Sequence, residues 1–103
     1  MSASIRAESD GRLQLAGVLD FRTGPGLREQ GRALIRNNQS GALCLDLSAV
    51  EKSSSVGLAL LLAFLRDAEA AGKTLRVQAL PADMRQIAEV CQLLEILPAG
   101  ASA

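Results

Sequence analysis

The sequence predicts an α/β domain with a mixed sheet, four- to five-stranded and covered by three to four helices, and three observations carry that prediction. Apolar and polar residues alternate on both sides of Ser9-Asp10-Gly11, the pattern of a short hairpin. An almost unbroken apolar run, Ala42 to Leu47, suits a central strand covered on both faces. Segments of helical spacing separate that run from strand-like segments before and after it. Strands that alternate with helices pair in parallel through crossovers, and the hairpin adds an antiparallel edge.

The elements follow in order. Ile5 and Ala7, then Leu13 and Leu15, mark the two hairpin strands, and Gly17 and Asp20 close the second. Thr23-Gly24-Pro25 reads as a helix start, with Thr23 as cap and proline in the tolerant first turn. Leu27, Gly31, Leu34 and Ile35 give that helix an apolar stripe, while Arg28, Glu29, Arg32 and Arg36 face water. A loop over Asn37 to Gly41 leads into the Ala42–Leu47 strand, and Ser48 to Ser54 reads as a second loop. A helix then runs from Ser55 to Ala71 and stops at Gly72. Leu75, Val77 and Ala79 alternate with Arg76 and Gln78 in a half-buried strand over Thr74 to Ala79. Pro81 opens a last helix with Met84, Ile87, Ala88 and Cys91 on one face. Leu93 to Leu97 reads equally as a short final strand or a packed tail.

Composition narrows the chemistry. A length of 103 residues fits a single domain. The sequence holds no His, Trp or Tyr, and two Phe. Without His, the usual neutral-pH acid–base group and any His-based triad or zinc site are excluded. Two aromatics leave almost nothing on which to stack nucleotide bases. Eleven Lys and Arg balance eleven Asp and Glu, which argues against a protein held by phosphate backbones or anionic lipid. Met1 to Arg12 carries charges throughout and no apolar h-region. The longest apolar run, Val56 to Leu65, is well short of the roughly 20 residues of a membrane span. These features lead us to expect a soluble, cytoplasmic protein, in which Cys44 and Cys91 are buried reduced thiols acting as small hydrophobes.

One segment stands out: Lys52-Ser53-Ser54-Ser55-Val56-Gly57-Leu58, at the join between the buried strand and the following helix. Open α/β sheets place binding sites beyond the carboxyl ends of their strands. Hydroxyls here cap the helix, an effect of about 1 kcal/mol. A phosphate on one of them would meet the same N–H donors, or would repel a docked partner. Gly57 lies too deep to be a cap, so it either permits a close backbone approach or sits in an irregular first turn. No phosphate-loop pattern occurs, and nucleotide binding is not expected. In the helix that follows, Leu58, Leu61, Leu62 and Leu65 form one stripe, and Val56, Leu60 and Phe64 form a second on roughly the opposite side. One packs on the sheet. The other is covered by a neighbouring helix or serves as a docking face beside the serines. Asp20, Asp46, Asp83 and Glu89 show no paired spacing, and no calcium-loop pattern is present, so no catalytic, cofactor or metal site is expected. The Arg28, Arg32 and Arg36 face reads first as solvated and second as a contact for an acidic partner.

Leu45-Asp46-Leu47-Ser48-Ala49-Val50 followed by Ser54-Ser55-Val56-Gly57-Leu58 resembles the core of the STAS domain family. The resemblance extends to Leu15–Asp20, Gly72–Val77 and the Pro81 helix with its leucine-rich tail, so it covers about Ile5 to Pro98 as a single STAS-type domain. Within the family, Gly57-Leu58-Ala59-Leu60-Leu61-Leu62 and the short length look most like the MlaB-type subunits. The resemblance implies a non-enzymatic subunit, without cofactor, of an ABC-type phospholipid transporter that maintains outer-membrane lipid asymmetry. Such a subunit is peripheral to the inner membrane through its partner, an MlaF-like ATPase subunit assembled with a permease. It further implies a partner-binding surface at Ser53, Ser54, Ser55, Val56, Gly57 and Leu58, with Leu60 and Phe64 at its rim. The alternative within the family is an anti-sigma factor antagonist, whose partner is a serine kinase and whose phosphoacceptor position falls on Ser55. The aspartate that precedes that serine in antagonists is Ser54 here, a departure from their pattern.

Overall fold

The computed structural model describes residues 3–9 and 11–90, in the order β1 (Ala3–Ser9), β2 (Arg12–Leu19), α1 (Gly24–Asn37), β3 (Ala42–Ser53), α2 (Ser55–Ala70), β4 (Thr74–Gln78) and α3 (Ala82–Val90). β1 and β2 form the expected hairpin, with Ile5 opposite Leu15 and Ala7 opposite Leu13. Gly11 takes φ +74 in its turn, where a side chain would run into the Ala42 carbonyl and the Ser40 hydroxyl. The sheet order is β1-β2-β3-β4, with β3 parallel to both of its neighbours. This is a four-stranded mixed sheet with three helices, within the range that the sequence predicts. The suggested fifth strand, Leu93–Leu97, and Cys91 lie outside the described residues.

Register explains the core. Leu13, Leu45 and Val77 share one row across β2, β3 and β4, and Leu43 pairs with Leu75 in another. All five are buried, together with Leu15, Leu19 and Leu47. Full burial of such side chains contributes roughly 1.5–3 kcal/mol each. Leu27 and Ile35 of α1, Leu58 and Leu61 of α2 and Met84 of α3 belong to the same core.

The opposite face differs from expectation. Within the Ala42–Leu47 run the leucines at 43, 45 and 47 point to the core, while Cys44 and Asp46 fall on the other side with Arg12, Gln14 and Gln78. That face is polar. Cys44 is half-buried rather than buried, and its Sγ donates to Gln78 Oε1 at 3.2 Å. The period-two alternation was hidden by Cys44 being counted as apolar.

The Ser48–Ser54 segment is also not a loop. β3 continues through it to Ser53, pairing Ala49 with Ala16 and Ser53 with Leu19 across two register shifts. Backbone pairing needs no apolar side chains, so a polar stretch conceals it. At the other edge β4 stops at Gln78, because Ala79 turns to φ 60. Thr23 is the N-cap residue of α1, as expected, but makes no side-chain cap hydrogen bond; its hydroxyl instead donates to Val18 O at 2.9 Å. Asp20 Oδ1 accepts from the Arg22 and Thr23 N–H groups, which shapes the turn into α1.

α2 ends as its sequence indicates. Gly72 adopts φ 71, its N–H donates to Glu69 O and the Lys73 N–H donates to Ala68 O, which completes a Schellman stop. Lys73 then turns to the end of α1, where its ammonium donates to the carbonyls of Ile35 (2.7 Å) and Asn38. No helix among the described residues is long and apolar enough to cross a membrane.

Candidate functional site

The serine step is fixed by three neighbouring elements. The Ser54 N–H donates to Leu19 O (3.0 Å), tying the end of β3 to the end of β2. The Ser54 hydroxyl accepts from Val56 N–H at 3.2 Å, so Ser54 is the N-cap of α2, and it reaches Leu19 O at 3.3 Å. The Ser53 N–H donates to Asp83 Oδ2 at 3.1 Å, while Asp83 Oδ1 accepts from Met84 N–H at 2.9 Å. Asp83, in the first turn of α3, thus clamps the serine step with its carboxylate.

Gly57 is required by close approach. A Cβ there would overlap the Ser53 hydroxyl and crowd Met84 Cε at 3.2 Å. Of the two readings of this glycine, close packing is the one observed. Ser55 follows the cap at the first helical position and is exposed, and its hydroxyl makes no hydrogen bond among the described residues.

The residues assigned from sequence divide into two groups. Ser54 and Ser55 are exposed, Ser53 and Val56 are half-buried, and they line one surface. Gly57 and Leu58 lie beneath it, buried. Leu60 and Phe64, expected at the rim, are 5% and 0% exposed, because α1 covers that stripe. A Cβ on Gly31 would overlap the Phe64 ring, and one on Gly24 would meet Val56 Cγ1 at 3.0 Å. Two glycines on one face let α1 settle onto α2. Leu60 and Phe64 are therefore core, and of the second stripe Val56 alone reaches the surface.

The structure adds residues that the sequence did not single out. Phe21, 74% exposed, stands beside Pro25, Val56, Ala59 and Ala63 around an open apolar groove adjoining Ser55. The Arg22 guanidinium lies 5.6 Å from the Phe21 ring centroid. A large apolar residue inside the polar turn Asp20-Phe21-Arg22-Thr23 was the available signal.

The electrostatics of the sheet's polar face centre on Asp46, which is 5% exposed. It accepts from Arg12 Nη2 at 2.8 Å and from the Ser48 N–H at 2.9 Å. Burial raises its pKa, but the hydrogen bonds from Ser48 and the Arg12 guanidinium outweigh that and hold it below the ordinary carboxylate value. This carboxylate is spent on a structural pair. Around the serines, the neighbouring carboxylate Asp83 is engaged by the backbone N–H groups of Ser53 and Met84.

Comparison with known proteins matches this geometry to a family. The family model described as Mlab, STAS domain, matches residues 3–98. Among solved structures, the chain is similar to a chain of the Acinetobacter MlaFEDB complex in its ATP-bound Vtrans2 conformation. That match has 28% identity and a TM-score of 0.76, and covers 86% of this chain and 93% of that one. An anti-sigma factor antagonist from Mycobacterium paratuberculosis matches at 26% identity and TM-score 0.76, over 97% of this chain and 85% of that one. The anti-sigma factor antagonist SpoIIAA in its unphosphorylated form shares the fold, at 15% identity and TM-score 0.68, over 95% and 86% of the two chains. No curated protein matches.

Proposed function

Because the chain belongs to the STAS domain family, in its MlaB-type branch, we propose that it is a non-enzymatic subunit that docks on, and regulates or stabilises, the ATPase of an ABC-type phospholipid transporter. Its place would be the cytoplasmic face of the inner membrane, held there by its partner, in a system that maintains outer-membrane lipid asymmetry. The similarity to a chain of the MlaFEDB complex supports this assignment. The observation that carries it is the pairing of a rigid, exposed serine step with an open apolar groove. Ser54 is held by β2 and Ser53 by α3, Ser55 follows them exposed, and Phe21, Pro25, Val56 and Ala59 line the groove beside this step. Contact patches that bind tightly combine buried apolar anchors with a few fixed polar groups.

In this reading Ser53, Ser54, Ser55 and Val56 touch the ATPase. Gly57 and Leu58 set the backbone, and Leu60 and Phe64 support the surface from beneath. Affinity purification of the tagged chain from detergent-solubilised native membranes, followed by mass spectrometry, tests it. Recovery of an ATPase and a permease is expected; recovery of a serine kinase in their place would overturn the assignment.

A second reading, an anti-sigma factor antagonist switched by phosphate on Ser55, is favoured by the exposure of that hydroxyl at a helix start and by the antagonist match at 26% identity. Intact-mass measurement after incubation with candidate anti-sigma factor kinases separates the two: a stoichiometric phosphate on Ser55 selects the antagonist.

A further inference from the structure

α1 connects β2 to β3 and α2 connects β3 to β4, all parallel, so both helices return along the sheet in the same direction. Their close approaches agree: Gly24 meets Val56 and Gly31 meets Phe64, while the long Arg28 side chain reaches on along α2 to Asp67. The outer seam between them forms a shallow trough of two successive depressions, crossed midway by the Arg28–Asp67 pair. From Pro25 to Arg36 it extends about 16 Å at 1.5 Å per residue, roughly three helical turns.

Its two ends have opposite chemistry. Near Ser55 the walls are apolar, with Phe21, Pro25 and Val56 around small Ala59 and Ala63. At the far end Arg32 and Arg36 stand over Ala70 and Ala71. Both arginines are exposed, and neither has an ion pair among the described residues. Asp67, the carboxylate lining this end, is engaged by Arg28.

We propose that this trough holds one amphipathic helical segment of a protein partner, with apolar side chains against Phe21 and carboxylates at Arg32 and Arg36. A groove between two parallel helices seats a third by ridge-into-groove packing, and the alanines of α2 allow close approach. Charge complementarity fixes the segment's polarity, acidic end towards Ala70. Two free guanidiniums on a chain of zero net charge are too few for a membrane surface, which calls for about 4–8 basic residues. A nucleic acid would find no use for the apolar end. Placing this segment on the transporter's ATPase rests on the docking reading above; the trough's preference for such a segment does not.

Display of random 16-residue peptides against the full chain tests the preference, with amide chemical-shift mapping of the selected binders. The expected binders carry two apolar residues three or four apart at one end and at least two carboxylates at the other. They should shift Ala63, Arg32 and Arg36, and bind R32E/R36E at least about tenfold more weakly, an effect that raised salt reproduces in the wild type. Phe21→Ser should weaken the same binders with the fold intact by circular dichroism. Binders without carboxylates, shifts confined to the sheet's polar face, or no binders at all would overturn the proposal. Vesicles of phosphatidylglycerol that bind the wild type but not R32E/R36E would also overturn it, in favour of a lipid surface. An acidic–apolar consensus with no ATPase recovered from membranes would remove the ATPase alone; a recovered ATPase with no consensus would remove the trough alone.

Discussion

Gly31→Ala isolates the contact that turns Phe64 of the second α2 stripe into core. In an unobstructed helix interior, this change stabilises by about 1 kcal/mol. Here the new Cβ would overlap two carbons of the Phe64 ring, and that ring is fully buried with no exposed direction in which to swing. Overpacking of a tight core costs about 1–3 kcal/mol, and a direct overlap with an enclosed ring belongs in the upper part of that range. The net expectation is a loss of about 1–2 kcal/mol, which lowers Tm by roughly 4–16 °C for a domain of this size. Urea unfolding followed by far-ultraviolet circular dichroism measures it, since the chain has no Trp or Tyr to report by fluorescence. Phe64→Leu makes room for the added methyl. In the Gly31→Ala/Phe64→Leu pair the two losses should therefore fail to add, with a coupling of at least about 1 kcal/mol. A Gly31→Ala variant more stable than the wild type would refute the close approach of α1 to α2.

Three further perturbations probe the remaining joints. Asp46 has a lowered pKa in the folded chain, so its contribution is present above the unfolded-state value and is lost as pH falls through the folded one. The stability gap between wild type and Asp46→Asn, measured by urea titration from pH 7 to pH 2, should hold at neutral pH and close in acid; a gap independent of pH would contradict this. Lys73→Met removes the ammonium from the α1 carbonyls and should cost about 1–2 kcal/mol, with faster hydrogen exchange confined to the last turn of α1. Asp83→Ala frees the Ser53 N–H and removes a first-turn carboxylate from α3, and should cost about 1–2 kcal/mol while raising exchange at Ser53; unchanged exchange there would contradict the clamp.

The fold was legible wherever local pattern and tertiary packing agree. The hairpin, the two crossover helices and the Gly72 stop follow from alternation, helical spacing and a left-handed glycine, all local signals. β3 beyond Leu47 was not legible, because Ser48 to Ser53 pairs through its backbone and carries no apolar rhythm. The polar side of the sheet was hidden for a related reason: Asp46 meets Arg12 across 34 positions of sequence, so nothing near either residue announces the pair. At the site, Ser54, Ser55 and Gly57 were readable from one short segment, and the structure assigns them a cap, an exposed hydroxyl and a close approach. Phe64 was misplaced. Its stripe faces α1 through Gly31, and a glycine that makes room for a ring looks, in sequence, like a weak member of an apolar face. Asp83 and Phe21 reach the site through tertiary contact and through a turn, respectively, where periodicity carries no information.

The central claim, that Ser55 lies in a dry contact with an ATPase, is tested most directly by Ser55→Asp. An aspartate in the first turn of a helix is itself favourable by about 0.3–1 kcal/mol, so the variant should fold at least as well as the wild type. Burying that unpaired charge in an interface should cost several kcal/mol, a loss of two or more orders of magnitude in affinity. Measured against the purified ATPase subunit, Ser55→Ala should bind within a few fold of the wild type and Ser55→Asp should not bind detectably. Equal affinity of the wild type and Ser55→Asp would place the contact elsewhere on the molecule.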